Sequence, residues 1–393
     1  MSPHRKNIAN LPRLNAFMDE AGLDALVLRS GQNFAYLSGV VYPGTLQRHV
    51  DLADSTRPTL LVWPRRGKPV IITNKTAAGL AERDGWIETV VLYEAYVDSP
   101  YAKLAEVLHD AGLASASIGF EKDYISAEHW DAIAKAAPKV KMTDCTRLMD
   151  RVRWIKTEAE IALLRRAADL QDDAYLEVFR RIRPGGTERK VHADMMGTCL
   201  RLGFEWAHGI FNVFRNTVPY GGESDMVIEK GDAIRTDYVS YLQGYPGHQS
   251  RTVIVGPPTP EQRRDYAINL EVHRKTIDRC RAGANVHELW QGCMNEYKKH
   301  GWPDHHMLIG HGVGPWWHQQ EPILRRKSEH VLEEGMVLAL EPHVNFWHVQ
   351  DMILVRQGAP LLLSPKFNTD QPFVAGGALG PGVRARGQCP DCS

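Results

Sequence analysis

The sequence predicts an α/β domain in residues 1–150, an α+β domain in residues 151–375 and a tail in residues 376–393. In the first part, short apolar runs alternate with segments of helical periodicity, which is typical of α/β domains. In the second part, long amphipathic segments are interspersed with strands. A third observation concerns residues 305–351, where histidines and carboxylates stand at the ends of predicted strands. Metal sites and acid–base sites are built from such groups.

The composition excludes several classes of function. Lys+Arg and Asp+Glu are equal at 47 each, so no overall field favours nucleic acid or an anionic membrane. No run approaches the ~18 apolar residues of a membrane span. The start of the sequence is charged and lacks an apolar signal core. The six cysteines are scattered, so we expect a cytoplasmic protein, and we favour no metal or redox role for the C-x-x-C of Cys389 and Cys392.

The elements of the first domain follow from apolar patterns. A strand, a turn and a short helix are expected near residues 25–39, and the PRRG sequence at 64–67 indicates a hairpin-like connection. We predict helices over 11–24, 101–111 and 127–137 and strands over 25–28, 60–63, 70–73 and 117–120. Nothing in this domain has the clustered residue types of a catalytic site.

The second domain begins with a long helix, for which Thr157 and Glu160 form a capping box pattern. Thr187 is the expected N-cap of a further helix through residue 199, and another helix spans 260–281. Apolar runs at 336–340 and 352–355 predict buried strands, the first of which ends at Glu341. The tail, rich in Gly, Pro and Arg, is expected to be loosely ordered.

Several short sequences resemble the creatinase, prolidase and aminopeptidase P family. They span nearly the whole chain and are found at residues 33–39, 153–161, 228–232, 244–245, 250–252, 256, 311–314, 333–337 and 341–342. The resemblance implies a creatinase-type N-terminal α/β domain and a C-terminal pita-bread catalytic domain. It also implies a hydrolase that acts on a small molecule, and we expect a homodimer.

The family's metallopeptidases bind two divalent ions through two aspartates, a histidine and two glutamates. Carried over by position, this ligand set is similar to Asp237, His248, His311, Glu341 and Gln350, so that two of the five ligands differ. The family's substrate-facing histidines correspond to Tyr220, which is a further departure, and to His318, which is retained. By contrast, His208 is expected to be an ordinary core or surface histidine.

The two altered ligands are those that bridge the ions in the family. Neither an imidazole nor a neutral amide bridges two ions well, and the ligand charge falls from about −4 to about −2. The resemblance therefore leaves three alternatives open: one ion, no ion as in creatinase, or two ions. With one ion (Zn²⁺, Fe²⁺ or Mn²⁺), His248, His311 and Glu341 would be the ligands, and His348 could add another.

The main expectation is a hydrolase of C–N bonds in a small non-peptide or modified amino-acid substrate. His311 and Glu341 would hold or activate water, His318 and Tyr220 would stabilise the tetrahedral intermediate, and His248 would be a ligand or a base. Three alternatives are a two-metal Xaa-Pro peptidase, a lyase similar to those that cleave dimethylsulfoniopropionate on this fold, and a binding module without catalysis. The binding module is the least expected of these, because a site that has lost its catalytic activity has no physical reason to keep so many polar groups together.

Overall fold

A computed structural model describes residues 6–42, 46–47, 50, 57–218, 222, 224–302 and 307–376. The chain divides into an N-terminal unit, Met1–Thr157 with Gly314–Trp316, and a C-terminal unit, Glu158–Val313 with Trp317–Ser393. The boundary expected between residues 150 and 151 falls inside a helix, Thr146–Trp154. Apart from Gly376, the tail expected at 376–393 lies outside the described residues, and so do Cys389 and Cys392.

The N-terminal unit is built on a six-stranded sheet. Its strands are β1 (Ala25–Arg29), β2 (Leu60–Pro64), β3 (Val70–Asn74), β4 (Thr89–Tyr93), β5 (Ser117–Phe120) and β6 (Lys141–Asp144), in the order β4-β3-β2-β1-β5-β6. β2 and β3 pair antiparallel, which confirms the hairpin-like connection predicted at residues 64–67. The sequence analysis missed β4, although it carries the apolar run TVVLY, and β6, whose sequence KMTD contains no apolar run. Both strands are largely exposed or half-buried.

Helices cover this sheet, and side-chain caps mark the starts of four of the six described here. They are α1 (Leu11–Glu20), α2 (Gln32–Ser38), α3 (Lys75–Asp84), α4 (Pro100–Asp110), α5 (Ala127–Ala136) and α6 (Thr146–Trp154). Ser99 and Ser126 accept hydrogen bonds from the backbone N–H groups of Ala102 and His129 at the starts of α4 and α5. The helices predicted over 11–24, 101–111 and 127–137 are confirmed, and the first is shorter than expected.

The C-terminal unit contains two five-stranded sheets and a short hairpin. The first sheet has the order β18-β10-β8-β7 with β9 beside β8, and the second has the order β12-β11-β13-β16-β17. The strands are β7 (Trp206–Val213), β8 (Ala233–Leu242), β9 (Tyr245–Gln249), β10 (Thr252–Val255), β11 (Leu308–Gly312), β12 (Gln320–Arg325), β13 (Val337–Leu340), β16 (Asp351–Leu354), β17 (Leu361–Leu362) and β18 (Phe373–Ala375); β14 (His343–Val344) and β15 (Trp347–His348) form the hairpin. The predicted strands at 336–340 and 352–355 correspond to β13 and β16.

Four long helices pack with these sheets, namely α7 (Glu158–Phe179), α8 (Glu188–Arg201), α9 (Pro260–Arg279) and α10 (Val286–Lys299). Thr187 caps α8 as predicted, by accepting from the backbone N–H of Lys190. The Thr157 hydroxyl donates to the carbonyl of Ile8, and Glu160 accepts from the Tyr245 hydroxyl. The capping box expected from Thr157 and Glu160 stays a prediction. The sequence analysis did not predict α10.

Apolar side chains of α7, α8 and the first sheet form the main core of this unit. Tyr175, Phe179 and Tyr238 lie in it with less than 2% exposure. The face of the strands that carries Asp237 and His248 is polar, because side chains on a strand alternate between the two faces of the sheet. Within the part of the chain that the structure describes, no helix has the length and apolar character needed to cross a membrane.

Candidate active site

Asp237 and His248 come together through the register of β8 and β9. Val239 is the cross-strand partner of His248, and Asp237 lies two residues before Val239 on the same face of the sheet. Nε2 of His248 is 3.1 Å from Oδ1 of Asp237. Burial raises the pKa of Asp237, but the hydrogen bond from His248 and nearby histidines outweigh burial and hold that pKa below its ordinary value. Asp237 is therefore a carboxylate, and His248 is its partner.

His311 and Glu341 are brought together in the same way in the second sheet. His311 pairs with Ala339 on β13, and Glu341 lies two residues beyond Ala339. Nε2 of His311 is 3.6 Å from Oε1 of Glu341. Nδ1 of His311 donates to the Gly312 carbonyl at 2.9 Å, so in the neutral imidazole the lone pair is on Nε2 and faces the site.

Burial shifts the pKa values of these two groups in opposite directions. It lowers the pKa of His311 to about 3, with His248 contributing. It also raises the pKa of Glu341 well above its ordinary value, and the negative charge of Asp237 adds to that shift. Of the neighbouring carboxyl groups Asp237 and Glu341, the site thus favours the ionised form of the first and, without a cation beside it, the protonated form of the second.

Gln350 joins the two sheets at this point. It forms an isolated antiparallel bridge with Ser250, whose hydroxyl is 2.7 Å from Oε1 of Gln350. Nε2 of Gln350 is 3.0 Å from Nε2 of His248. A protonated Nε2 of His248 cannot both donate to Asp237 and accept from an amide N–H. The conflict is removed when the amide is turned, so that its oxygen accepts from His248 and its nitrogen donates to Ser250.

A buried ion network holds the backbone behind Gln350. Arg251 is fully buried, donates to the Gln350 carbonyl at 2.5 Å, and lies 2.9 Å from Asp172 and 3.0 Å from Asp351. Nε2 of His273 is 3.0 Å from the other oxygen of Asp351. Despite its burial, Arg251 and His273 hold the pKa of Asp351 below its ordinary value. The network fixes the backbone at Gln350, directly before β16.

His318 is half-buried, whereas His248 and His311 are buried. Its ring is 4.5 Å from that of His248 and 5.7 Å from that of His311, centroid to centroid. Burial, with His248 and His311 contributing, holds its pKa well below the ordinary value. The sequence analysis did not anticipate its contact with Tyr241, whose hydroxyl is 3.2 Å from Nδ1 of His318. This contact joins a strand of the first sheet to the loop before β12, and no spacing in the sequence indicates it.

An aromatic group lies beside His318. The rings of His208 and Trp317 are parallel, at an interplanar angle of 2° and a centroid distance of 5.6 Å, and the ring of His208 is 5.2 Å from that of His318. Burial lowers the pKa of His208 to about 4. His208, expected to be an ordinary core or surface residue, therefore lies next to the site. Trp206 and Tyr241 continue the stack, with a ring distance of 4.9 Å.

Tyr220 was predicted to face the substrate, and it lies outside the described residues, as do His305 and His306. The other predicted residues come together in the C-terminal unit: Asp237, His248, His311, His318, Glu341 and Gln350. His343 was missed. Two clusters of described residues have ligand atoms within 4.8 Å of one another and so could hold a metal ion: His248, His311 and His318, and Glu341, His343 and His348.

The described residues do not fit a centre in which two ions share bridging carboxylates. At the two bridging positions, His248 is hydrogen-bonded to Asp237 and Gln350 is a neutral amide bonded to Ser250 and His248. The carboxylates left are Asp237 and Glu341, and the positive charge of Arg235 acts on Glu341. Two dications there would leave a large uncompensated positive charge. The chemistry of the donors suits one divalent ion.

Two family models match this chain. One, described as Metallopeptidase family M24, covers residues 162–359, and the other, described as Creatinase/Prolidase N-terminal domain, covers residues 11–155. Similar proteins include a Xaa-Pro dipeptidase of Pyrococcus horikoshii, 26% identical over 84% of this chain and 87% of the relative. A Xaa-Pro dipeptidase of Lactobacillus delbrueckii is 24% identical over 85% of this chain and 89% of the relative.

Solved structures support the fold. An X-Pro aminopeptidase of Thermotoga maritima superposes with a TM-score of 0.79 at 21% identity, covering 92% of this chain and 99% of that chain. The prolidase of Pyrococcus horikoshii gives a TM-score of 0.74 at 23% identity, covering 90% of this chain and 97% of the other. The expected architecture, a creatinase-type N-terminal domain followed by a pita-bread domain, is thereby confirmed.

Proposed function

Because the chain belongs to metallopeptidase family M24, we propose that it hydrolyses a C–N bond in a small substrate, with Xaa-Pro dipeptides as the first substrate class. The names of its relatives favour this alternative over the non-peptide substrate that was the main expectation. The observation that carries the proposal is the His311–Glu341 pair, buried beside the accessible His318. A water or carbonyl group between them would meet a base, an acid and a hydrogen-bond donor.

The side chains have separate roles in this reaction. Nε2 of His311 accepts a proton from attacking water, since Nδ1 donates to the Gly312 carbonyl and the lone pair is therefore on Nε2. The lowered pKa of His311 keeps the ring neutral before the reaction. Protonated Glu341 supplies a hydrogen bond or a proton to the leaving nitrogen. His318 donates from Nε2 to the developing oxyanion. Asp237 orients His248, and the proposed contribution of Tyr220 to the oxyanion stays a prediction.

One divalent ion is compatible with this site, and Glu341 is the carboxylate that it would need as a ligand. Imidazoles stand on both sides of that carboxylate, His311 at 3.6 Å and His348 at 3.7 Å. When bound, such an ion polarises a carbonyl group and lowers the pKa of water. With such an ion bound, Glu341 would be an anionic ligand and not the proton donor.

A small non-peptide amide or amidine is the second candidate substrate. It is favoured by the replacement of both bridging carboxylates, at His248 and Gln350, because the two-ion chemistry of the family's peptidases depends on those ligands. The expectations of a cytoplasmic location and of a homodimer stay predictions.

Turnover assays decide between the candidates. The purified chain is offered a panel of Xaa-Pro dipeptides and a panel of small amides and amidines, with Mn²⁺, Co²⁺, Zn²⁺ or a chelator. We expect release of proline, and a loss of at least ~100-fold in kcat/KM for His311→Gln and for Glu341→Gln. His109→Gln, on the exposed surface of α4, is the matched control and keeps full activity.

The outcomes separate the proposals. If only the panel of amides and amidines is turned over, the substrate is a small amide or amidine and not a Xaa-Pro dipeptide. Full activity of His311→Gln shows that the catalytic site is not at His311. If neither panel is turned over under any condition, the hydrolase proposal fails and the binding-module alternative takes its place.

A further inference from the structure

A short hairpin places two histidines directly opposite each other. His343 on β14 pairs with His348 on β15, and their ring centroids are 4.5 Å apart. The two-residue turn is formed by Asn345 and Phe346, with φ values of 50° and 68°. Two left-handed residues are what the favoured tight hairpin turn requires. The turn therefore fixes the register that brings the two imidazoles together.

Glu341 faces this hairpin with the carboxylate oxygen that His311 does not use. Its Oε2 is 3.7 Å from Nε2 of His348, whereas its Oε1 is 3.6 Å from Nε2 of His311. Ligand atoms of Glu341, His343 and His348 all lie within 4.8 Å of one another. Donors at about 2.1 Å from one zinc ion are roughly 3–4 Å apart, so small side-chain movements would complete the set.

The ring of His343 is oriented by a hydrogen bond, whereas the ring of His348 has none among the described residues. Nδ1 of His343 donates to the backbone carbonyl of Glu341 at 2.8 Å, which leaves Nε2 unprotonated in the neutral ring. His348 is fully buried, and neither of its ring nitrogens has a hydrogen-bond partner among the residues described. A buried polar group without a partner is costly, and an unseen ion or water is a usual explanation.

We propose that Glu341, His343 and His348 form the ligand set for one divalent transition-metal ion of the Zn²⁺, Co²⁺ or Fe²⁺ class. Two imidazoles and one carboxylate, with further positions open, suit these ions. In this set His348 lies near Oε2 of Glu341, whereas His311 lies near Oε1. Binding of metal here does not depend on the substrate class proposed above.

The rival set, His248, His311 and Glu341, is less favourable. Nε2 of His248 is already hydrogen-bonded to Asp237, whereas His348 has no such bond. The charge of Arg235 acts against a cation near the hairpin, and the charge of Asp237 acts in its favour. As an anionic ligand, Glu341 contributes one negative charge, which supports one dication rather than two.

Cobalt binding tests the site without an activity assay. The full-length chain is freed of metal with a chelator and titrated with Co²⁺, and the visible absorption of the bound ion and its stoichiometry are measured. We expect one ion per chain. His343→Ala and His348→Ala should each weaken binding by more than ~100-fold, since losing even an outer partner of a ligand costs ~10–100-fold. His248→Ala and the surface control His109→Ala should bind as the wild type does.

A cysteine variant guards against misfolding. His348→Cys keeps a metal ligand at this position, although on a shorter side chain, so it should retain measurable Co²⁺ binding and add the near-ultraviolet charge-transfer band of a cobalt–thiolate bond. The proposal is overturned if His343→Ala and His348→Cys bind Co²⁺ like the wild type without that band. It is also overturned if His248→Ala alone abolishes binding, or if the wild type binds no ion. A wild type that binds Co²⁺ here but turns over no substrate would refute the proposed function and leave this site in place.

Discussion

The hydroxyl of Tyr241 accepts a hydrogen bond from the backbone N–H of His318 at 3.2 Å and lies 3.2 Å from Nδ1 of the same residue. A hydroxyl has one hydrogen to donate, and among the described residues Nδ1 of His318 is the only acceptor within hydrogen-bond distance of it, so that hydrogen is directed to Nδ1. The proton of the neutral imidazole is therefore on Nε2. This tautomer makes His318 a donor toward the open side of the site.

Tyr241→Phe should disturb this donor while keeping the ring. The phenyl group preserves the stack with Trp206, whose ring is 4.9 Å away, but it no longer selects the tautomer of His318. We expect kcat to fall by about tenfold or more, because an oriented donor is lost. Nitrogen chemical shifts of His318, measured by NMR, should change from one tautomer to a mixture.

The matched control is Tyr266→Phe, which also removes a buried hydroxyl, one that donates to the Thr369 carbonyl. It should cost stability, about 1 kcal/mol, without altering the shifts of His318. If Tyr241→Phe leaves both the tautomer and kcat unchanged, the hydroxyl does not position His318.

Much of the fold could be predicted from apolar patterns. The runs at residues 25–28, 60–63 and 117–120 are buried on both faces, so composition alone marks them as strands. The edge strand Thr89–Tyr93 carries a similar run, TVVLY, but was not predicted, and it is largely exposed or half-buried. Helix Val286–Lys299 was not predicted, although the side chain of Asn285 caps its start and its buried apolar residues have helical spacing.

The site could be predicted only where short motifs carry its residues. Asp237, His248, His311 and Glu341 follow from the resemblance to the family, and the structure places them together. The pairing of His343 with His348 depends on a turn whose two residues both adopt positive φ, which the sequence indicates only weakly through Asn345. The contact between Tyr241 and His318 depends on tertiary packing, so no local pattern could reveal it.

Arg251→Met should strongly destabilise the C-terminal unit. The guanidinium is fully buried between Asp172 and Asp351, and removing it leaves two carboxylates without their cation. Breaking a buried pair in this way typically costs ~3–5 kcal/mol. Urea unfolding measures the loss. Arg264→Met, which breaks an exposed pair with Asp265, should cost about 1 kcal/mol or less, and an equal effect of both variants would contradict the argument.

Glu121 should make the N-terminal unit less stable as the pH rises. Burial raises its pKa from an ordinary value of 4.5 to about 7, although it accepts hydrogen bonds from the Arg29 N–H and the Asn33 amide. The folded state then binds more protons than the unfolded state in this window, so stability is lost as the pH increases through the folded pKa. The full effect of this group is about 3 kcal/mol.

Glu121→Gln isolates that contribution. The free energy of unfolding of the wild type, minus that of the variant, should decrease between pH 4.5 and pH 8. The exposed Glu82 supplies the control, and for Glu82→Gln the same difference should stay flat. A difference that is flat for Glu121→Gln as well would show that the carboxyl group is ionised throughout this range in the folded state.

Restoring both bridging carboxylates should allow the chain to bind a second ion, whichever ligands bind the first. His248→Asp with Gln350→Glu returns about two negative charges and two groups that can each bind two ions, so affinity for a second Mn²⁺ should rise at least about tenfold. Gln350→Glu alone leaves an imidazole at the other bridge and should not do so. Elemental analysis after equilibration with Mn²⁺ counts the ions, and Gln291→Glu, on helix α10, controls for added charge. Two tightly bound ions in the single variant, or in the wild type, would show that bridging by both carboxylates is not what limits this site.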